Sequence, residues 1–263
     1  MGQAWNKVKK RRQAKSKLAE LMSKAEQVIV IHYSCESFYD RPDGSSPRIT
    51  SIAVRNLESG QTTSFSIHQV AERKGYSASA LEQHYNELEK LMLDEFYAYV
   101  RLHGSHFWLH WNMRDINYGF PAIAHRYKVL QGDPEEINES KLVDLSRLLI
   151  AIYGDNYIPH TRLSNLIDKN SISNKDFLNG KDEAEAFDKK QYVKLHQSTL
   201  RKVDVLSSII ERTADGSLKT NSKKRDLYGN YFTALTELIK ENPIISGAIA
   251  LIGFVSAVIS FFK

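Results

Sequence analysis

Residues 29–40 read IVIHYSCESFYD, and this stretch governs how the fold is interpreted. Its β-branched and apolar residues predict a buried strand over residues 27–33. The strand ends in Ser34-Cys35-Glu36, where one carboxylate follows two small side chains. Because ligand sites are often built at the carboxyl ends of buried strands, Glu36 is a candidate functional residue.

The composition is that of a folded protein. Hydrophobic residues make up 42% and charged residues 25% of the 263 residues, which suits one or two domains with a real core. A single cysteine, Cys35, excludes an intrachain disulfide framework and a cysteine zinc cluster. It fits a reducing compartment. The net charge of +5 suggests an anionic partner.

A basic segment lies near the N-terminus. Residues 7–17, KVKKRRQAKSK, hold seven basic residues and no acidic one. They fall within a predicted helix over residues 3–26, which we treat as a separate N-terminal segment, 1–26. Two interpretations stay open: a solvated helix face, or an arm that contacts phosphate on nucleic acid or on lipid headgroups. The candidates for binding nucleic acid in this segment are Lys9, Lys10, Arg11 and Arg12.

The opposite end of the chain is apolar. Residues 244–262, IISGAIALIGFVSAVISFF, contain no charged residue, and a helix needs about 20 apolar residues to cross a bilayer core. We therefore expect a transmembrane tail anchor over residues 242–263, with a buried core helix as the alternative. A linker and an amphipathic juxtamembrane helix are expected over residues 214–241. Basic residues before the span predict a single-pass membrane protein whose main domain is cytoplasmic.

Between these ends, residues 27–213 show the element order of an α/β domain. Three strands come first, then a long helix, a fourth strand, and several helices with a short fifth strand among them. The predicted ranges are strands at 27–33, 48–56, 62–68 and 106–112, a helix at 77–104, a short strand running into a helix within 140–154, and helices within 118–130, 160–170 and 182–213.

This order and four short motifs resemble the DEDD-type 3′–5′ exonucleases, the proofreading exonuclease family of the ribonuclease H-like fold. VIVIHYSCESF takes the place of the family's first strand, which ends in Asp-x-Glu, and LHWNMRDINYGF that of a His-Asn-x-x-Phe-Asp segment. LVDLSRLL stands at an Ile-Asp-Thr segment, and LHQSTLRKVDVL at the last helix, which carries His-x-Ala-x-x-Asp. The resemblance covers residues 27–212 and implies an α/β fold, a ribonuclease H-like mixed sheet flanked by helices.

The resemblance also implies a two-metal site for Mg²⁺ or Mn²⁺, in which carboxylates hold the ions and a histidine takes the proton of water. Glu36 corresponds to the Glu of the first strand, Asp115 to the Asp of the second motif, and His196 to the general base. The chain departs from the family at two positions. Ser34 replaces the paired Asp, and Arg201 stands where the final Asp is expected.

A nearby carboxylate is expected to replace the final Asp that is missing at Arg201. Asp204 follows Arg201 by one helical step, and Asp188 is a second candidate upstream. The predicted metal ligands are therefore Glu36, Asp115 and Asp204, and His196 joins them in the predicted catalytic set.

Because two of four carboxylates are replaced, the motifs favour a degenerate domain that binds nucleic acid or nucleotide without hydrolysis. Trp111 would stack on a base and Arg114 would contact a phosphate. Such a domain on a membrane tail is reminiscent of effectors or sensors in antiviral defence. A homo-oligomer is one assembly that we consider for it. Two alternatives stay open: an active membrane-tethered exonuclease, and a tail-anchored protein-binding scaffold. A third is an unrelated α/β domain on which the motif residues are ordinary surface residues.

Overall fold

The computed structural model describes residues 3–36, 46–77 and 79–223, and single positions at 231, 233, 235–237, 247, 252 and 255. Contacts divide the chain into two compact units. The larger unit, residues 19–148 and 160–219, contains the sheet. The smaller unit comprises residues 1–18, 149–159 and 220–263.

Five strands and eight α-helices are formed by the described residues between 3 and 223. The strands are β1 (Val28–Cys35), β2 (Ile49–Asn56), β3 (Thr62–Ser66), β4 (Phe107–His110) and β5 (Leu142–Asp144). The helices are α1 (Gln3–Ser23), α2 (Ile67–Lys74), α3 (Tyr85–Leu102), α4 (Phe120–Val129), α5 (Leu145–Tyr153), α6 (Arg162–Lys169), α7 (Gly180–Asp188) and α8 (Tyr192–Ala214).

The strands form one mixed sheet in the order β3-β2-β1-β4-β5. β2 pairs antiparallel with both β1 and β3. β4 pairs parallel with both β1 and β5. A five-strand mixed sheet flanked by helices is compatible with a ribonuclease H-like fold.

The two faces of β1 belong to different layers, because side chains alternate along a strand. Ile31 and Tyr33 lie in the main hydrophobic core together with Met92 and Phe96 of α3. On the other face, α8 packs along β1 and β2. Ser34 therefore points toward α8 and not into the apolar core.

Helix α2 takes the place of the end of the third predicted strand. The alternation of SFSIH predicted a strand through residue 68, whereas β3 ends at Ser66. Ile67, Val70 and Ala71 are buried at helical spacing. Gly75 ends the helix at φ 74°, a left-handed conformation that glycine adopts without steric cost. The strand boundary was wrong because burial at i, i+3 and i+4 outweighs a short alternating pattern.

In the smaller unit, the end of α5 and the segment after it are hydrogen-bonded to residues 221 and 222. The backbone N–H of Asn221 donates to the carbonyl of Tyr157 at 2.7 Å. The hydroxyl of Ser222 donates to the carbonyl of Tyr153 at 2.7 Å. The predicted domain boundaries at residues 26, 213 and 241 stay predictions.

The predicted transmembrane helix is wrong. In the part of the chain that the structure describes, no helix is both long and apolar enough to cross a membrane. Most of the predicted span, 242–263, lies outside the described residues. The prediction rested on composition, which does not establish a continuous helix. The long described helices α1 and α8 have 21 and 23 residues, but charged side chains interrupt both. The membrane partner, the single-pass topology and the cytoplasmic placement were all inferred from this helix. These three predictions are therefore wrong as well.

Candidate functional site

A buried polar cluster lies where β1 meets α7 and α8. The hydroxyl of Ser34 donates to a carboxylate oxygen of Glu183 at 2.9 Å. It also lies 2.8 Å from the hydroxyl of Thr199. The Thr199 hydroxyl is in turn 2.8 Å from that of Ser51 on β2. We call the group formed by Ser34, Ser51, Glu183, Ser198, Thr199 and Lys202 the Ser34 cluster.

The cluster is completed by a buried ion pair. The Nζ of Lys202 lies 2.7 Å from the second carboxylate oxygen of Glu183. Ser198 donates a hydrogen bond to the first oxygen at 3.3 Å. The side chains of Lys202 and Glu183 are only 6% and 1% exposed. Because a buried charge is tolerated only when it is paired, the ammonium and the carboxylate hold each other at this position.

Helix capping and helix periodicity determine where each partner of the ion pair lies on its own helix. Glu183 lies in the first turn of α7, whose N-terminus is capped by the Asn179 side chain accepting from two backbone N–H groups. A carboxylate is favoured there by the helix dipole. Thr199 and Lys202 are three residues apart on α8 and so share one face of the helix. That face is directed at the end of β1.

His32 and Tyr118 lie beside the cluster. The Tyr118 hydroxyl is 3.4 Å from the His32 ring nitrogens and donates to the Tyr33 carbonyl at 3.3 Å. Burial, and next the charge of Lys202, hold the pKa of His32 well below its usual range. Burial raises the pKa of Tyr118 well above its usual value. Both groups are therefore neutral at neutral pH. The site carries no net charge, because the Lys202 ammonium and the Glu183 carboxylate compensate each other.

The donor set of the Ser34 cluster does not fit Mg²⁺ or Mn²⁺. These hard cations are held in such sites by several carboxylate oxygens, whereas the cluster offers hydroxyls and one carboxylate. That carboxylate already faces an ammonium. In the described residues, no group of three or more His, Cys, Asp and Glu side chains could hold a metal ion.

Glu36 and Asp115 make separate local contacts. Glu36 donates its backbone N–H to the Arg48 carbonyl at 2.8 Å, and its carboxylate lies 3.4 Å from the Arg48 guanidinium. Asp115 is exposed, and its carboxylate accepts the backbone N–H groups of Asn117 and Tyr118 at 3.0 and 2.8 Å. Each carboxylate thus has a structural role in its own loop, and their metal-binding roles stay predictions.

Asp204 lies farther along α8 than the residues that face the end of β1. Thr199 contacts Ser34, and Asp204 is five residues later, about 7.5 Å along the helix axis. There it pairs with Arg55 of β2 at 3.2 Å. Arg55 is near the end of β2 that lies beside the start of β1. Asp204 is therefore displaced away from Glu36, which follows the other end of β1, and the structure does not bring these two predicted ligands together.

Arg201 makes polar contacts with residues outside the cluster. Its Nε donates to the Lys175 carbonyl at 2.9 Å, and its guanidinium lies 3.5 Å from Asp204. The cation paired with Glu183, the carboxylate that accepts from Ser34, is Lys202, the neighbouring residue in the sequence. Arg201 was the departure from the family pattern that the sequence analysis identified, and Lys202 was missed.

His196, the predicted general base, faces a second histidine. It is buried on α8, and its ring centroid lies 5.0 Å from that of His68 on α2. Burial lowers the pKa of His196 to about 4, with a smaller contribution from His68. Its catalytic role stays a prediction.

The nucleic-acid candidates differ in accessibility. Trp111 is only 8% exposed, so its ring offers little surface for stacking. Arg114 lies 2.7 Å from the Asp144 carboxylate and donates to the Asn112 side chain at 3.0 Å. On α1, Lys9, Lys10 and Arg12 are exposed and Arg11 is buried.

An exposed aromatic residue on α1 was missed by the sequence analysis. Trp5 is 38% exposed, and Lys9 and Arg12 follow it at i+4 and i+7, so the three share one helix face. We call Trp5, Lys9 and Arg12 the α1 stripe. The signal was present in the sequence, since a tryptophan at this spacing from two basic residues is visible without a structure.

Comparisons with known proteins give no relative on which to base a function. No family model matches the sequence, and no match was found among the curated proteins or the solved structures.

Proposed function

We propose that this chain contains a ribonuclease H-like domain of the exonuclease type that has lost its metal site, and that the chain binds a nucleic-acid strand through its N-terminal helix without hydrolysing it. The observation that carries the proposal is the Lys202–Glu183 ion pair beneath Ser34. It occupies the end of β1, where the resemblance implies carboxylates and metal ions.

The absence of hydrolysis follows from the chemistry of this position. Two-metal hydrolysis requires ions that activate water and stabilise the leaving oxygen. A hydroxyl at Ser34 supplies no negative charge, and the one nearby carboxylate is neutralised by Lys202 at 2.7 Å. An ammonium supports neither a metal-bound water nor a second ion. Within the cluster, its role is to stabilise the fold.

Binding is supported by the α1 stripe. An exposed indole stacks on a base of any identity, and flanking cations contact phosphates. Trp5, Lys9 and Arg12 present both groups on one solvent-facing surface of α1. The net charge of +5 favours an anionic ligand. A single strand suits this arrangement better than a duplex, because its bases are accessible to the indole.

The test combines hydrolysis and binding on the full chain. A labelled single-stranded oligonucleotide is incubated with the protein and Mg²⁺ or Mn²⁺, and the products are separated by length. Binding is measured in EDTA by fluorescence anisotropy between 50 and 200 mM salt. We expect no shortening of the strand, and an affinity that falls with salt as phosphate contacts release counterions.

Matched variants locate the binding surface. Lys9→Gln with Arg12→Gln removes two charges from the α1 stripe, and we expect the logarithmic salt slope to fall by about 1.4. Lys181→Gln with Lys194→Gln removes the same charge from exposed positions on α7 and α8 and should leave the slope unchanged. Trp5→Ala should cost about 1–3 kcal/mol of binding. Metal-dependent shortening of the oligonucleotide would overturn the non-hydrolytic proposal, and equal slopes in both double variants would overturn the binding surface.

A further inference from the structure

Two histidine rings from different helices meet in the larger unit. His68 is the second residue of α2, and His196 lies in the first half of α8. Their ring centroids are 5.0 Å apart, with the ring planes inclined by 52°. They are 128 residues apart in the sequence, so only the packing of α2 on α8 brings them together.

Each ring has a buried nitrogen without a hydrogen bond. Among the described residues, Nδ1 of His68 and Nε2 of His196 have no hydrogen-bond partner and negligible accessible surface. His196 is 6% exposed as a whole residue. Buried polar atoms are satisfied in the great majority of cases, so two unsatisfied nitrogens on adjacent rings require an explanation.

The protonation state of the rings is suited to coordination. Burial lowers the pKa of both imidazoles, that of His196 to about 4, while the nearby Glu72 acts on His68 in the opposite direction. Both rings are therefore neutral at neutral pH, and each keeps one nitrogen lone pair. Glu72 follows His68 by one helical turn, and its negative charge favours a cation nearby.

We propose that His68 and His196 bind one borderline divalent transition-metal ion, of which Zn²⁺ is the reference case. Neutral imidazole suits Zn²⁺, Cu²⁺ and Ni²⁺, whereas Mg²⁺ and Ca²⁺ require oxygen ligands. Two imidazoles on one tetrahedral Zn²⁺, with Zn–N distances of about 2.0–2.1 Å, hold their ring centroids about 5 Å apart. The observed spacing matches this value. Two protein ligands leave two positions of a tetrahedral ion to water or to an added ligand.

This site is separate from the Ser34 cluster in residues and in chemistry, and it does not rest on the proposed nucleic-acid function. The ion pair of the cluster contains no imidazole. The test of the metal site uses no nucleic acid, so the two proposals succeed or fail independently.

The test is titration of the chelator-treated full chain with ZnCl₂. Binding is measured by calorimetry, and stability is measured by thermal melting. We expect at least one Zn²⁺ per chain, and one fewer in the His68 variants. An ion that binds only the folded state stabilises it by mass action. Once the free Zn²⁺ concentration exceeds the Kd, Tm should rise by roughly 3–6 °C for each further tenfold increase in that concentration. MgCl₂ at the same concentrations should produce no shift.

Substitution separates coordination from packing. His68→Phe keeps an aromatic ring at the half-buried position and removes both nitrogens, so it should abolish the Zn²⁺ response. His68→Gln should lose the same response and serves if the aromatic variant does not fold. His84→Phe, which removes an imidazole paired with Glu87 near the surface, should keep it. A wild type that neither binds Zn²⁺ nor shifts its Tm, or a response retained by both His68 variants, would overturn the proposal.

Discussion

Lys202 holds its ammonium 2.7 Å from a carboxylate oxygen of Glu183, and both side chains are shielded from solvent. The same carboxylate accepts hydrogen bonds from Ser34 and Ser198 through its other oxygen. β1, α7 and α8 are therefore linked by one charge-compensated group. In a low-dielectric interior, each half of the pair is tolerated only because the other is present.

Removal of the cation alone should be strongly destabilising. Lys202→Met leaves Glu183 buried and unpaired, and we expect a loss of about 3–5 kcal/mol in the free energy of unfolding. Lys202→Met with Glu183→Gln keeps an oxygen that accepts from Ser34 and Ser198 and should recover most of the loss. Urea denaturation of the wild type, both single variants and the double variant gives the coupling energy. Additive losses would mean that the two groups do not interact.

The position of the cation also predicts how a metal site could be created. Ser34→Asp with Lys202→Met places a second carboxylate beside Glu183 and removes the ammonium. Two unpaired buried carboxylates repel each other, so the variant should be less stable without metal. Mn²⁺ should raise its Tm by mass action. The measurement is thermal melting with and without Mn²⁺.

The matched control is Ser34→Asp with Arg201→Asp. Arg201 donates to the Lys175 carbonyl and pairs with Asp204, so its replacement leaves the Lys202 ammonium in place. We expect no stabilisation of this control by Mn²⁺. Stabilisation of the control to the same degree as the first variant would show that Lys202 is not the group that excludes a metal.

The sheet was predictable from the sequence because its strands carry local signals. The run from Val28 to Cys35 begins with four β-branched apolar residues, and turn residues in the sequence separate it from β2. The helix α2 was not predictable from alternation alone, since only the burial of Ile67, Val70 and Ala71 distinguishes its first turn from a continued strand.

The candidate site was less predictable, because its contacts join distant segments. Glu183 and Lys202 lie on two helices, and Ser34 is 149 residues before Glu183. Asp204 was chosen for its spacing from Arg201, but the direction of α8 along β2 decides which helix positions face the end of β1. That direction is a property of tertiary packing, and no local pattern encodes it.

In the chelator-treated chain, stability should decline on mild acidification because of His196. Burial lowers its pKa to about 4 in the folded chain, against about 6.5 in the unfolded chain. Between these values the unfolded state binds more protons, so stability falls as the pH drops from 6.5 to 4 and the loss is complete below 4. The full pKa difference corresponds to about 3.4 kcal/mol, and solvent screening of the incompletely buried ring reduces the expected contribution to roughly 2–3 kcal/mol. Chemical denaturation at closely spaced pH values measures it, and His196→Gln should flatten the profile in this window. An equally steep profile in that variant would assign the acid sensitivity to other groups.

Gly119 should tolerate no side chain. A Cβ atom there would lie 2.5 Å from the Met113 carbonyl carbon and 2.6 Å from the Arg114 nitrogen, and backbone atoms cannot move aside as a flexible side chain can. The Gly119 N–H also donates to the Tyr33 hydroxyl at 2.9 Å, which fixes the loop after β4 to β1. We expect Gly119→Ala to lose about 1–3 kcal/mol of stability or more, as overpacked sites do. Gly104→Ala is the control, since its nearest contact would be at 4.0 Å. Urea denaturation compares the two, and equal stabilities would show that the loop after β4 can shift to admit the methyl group.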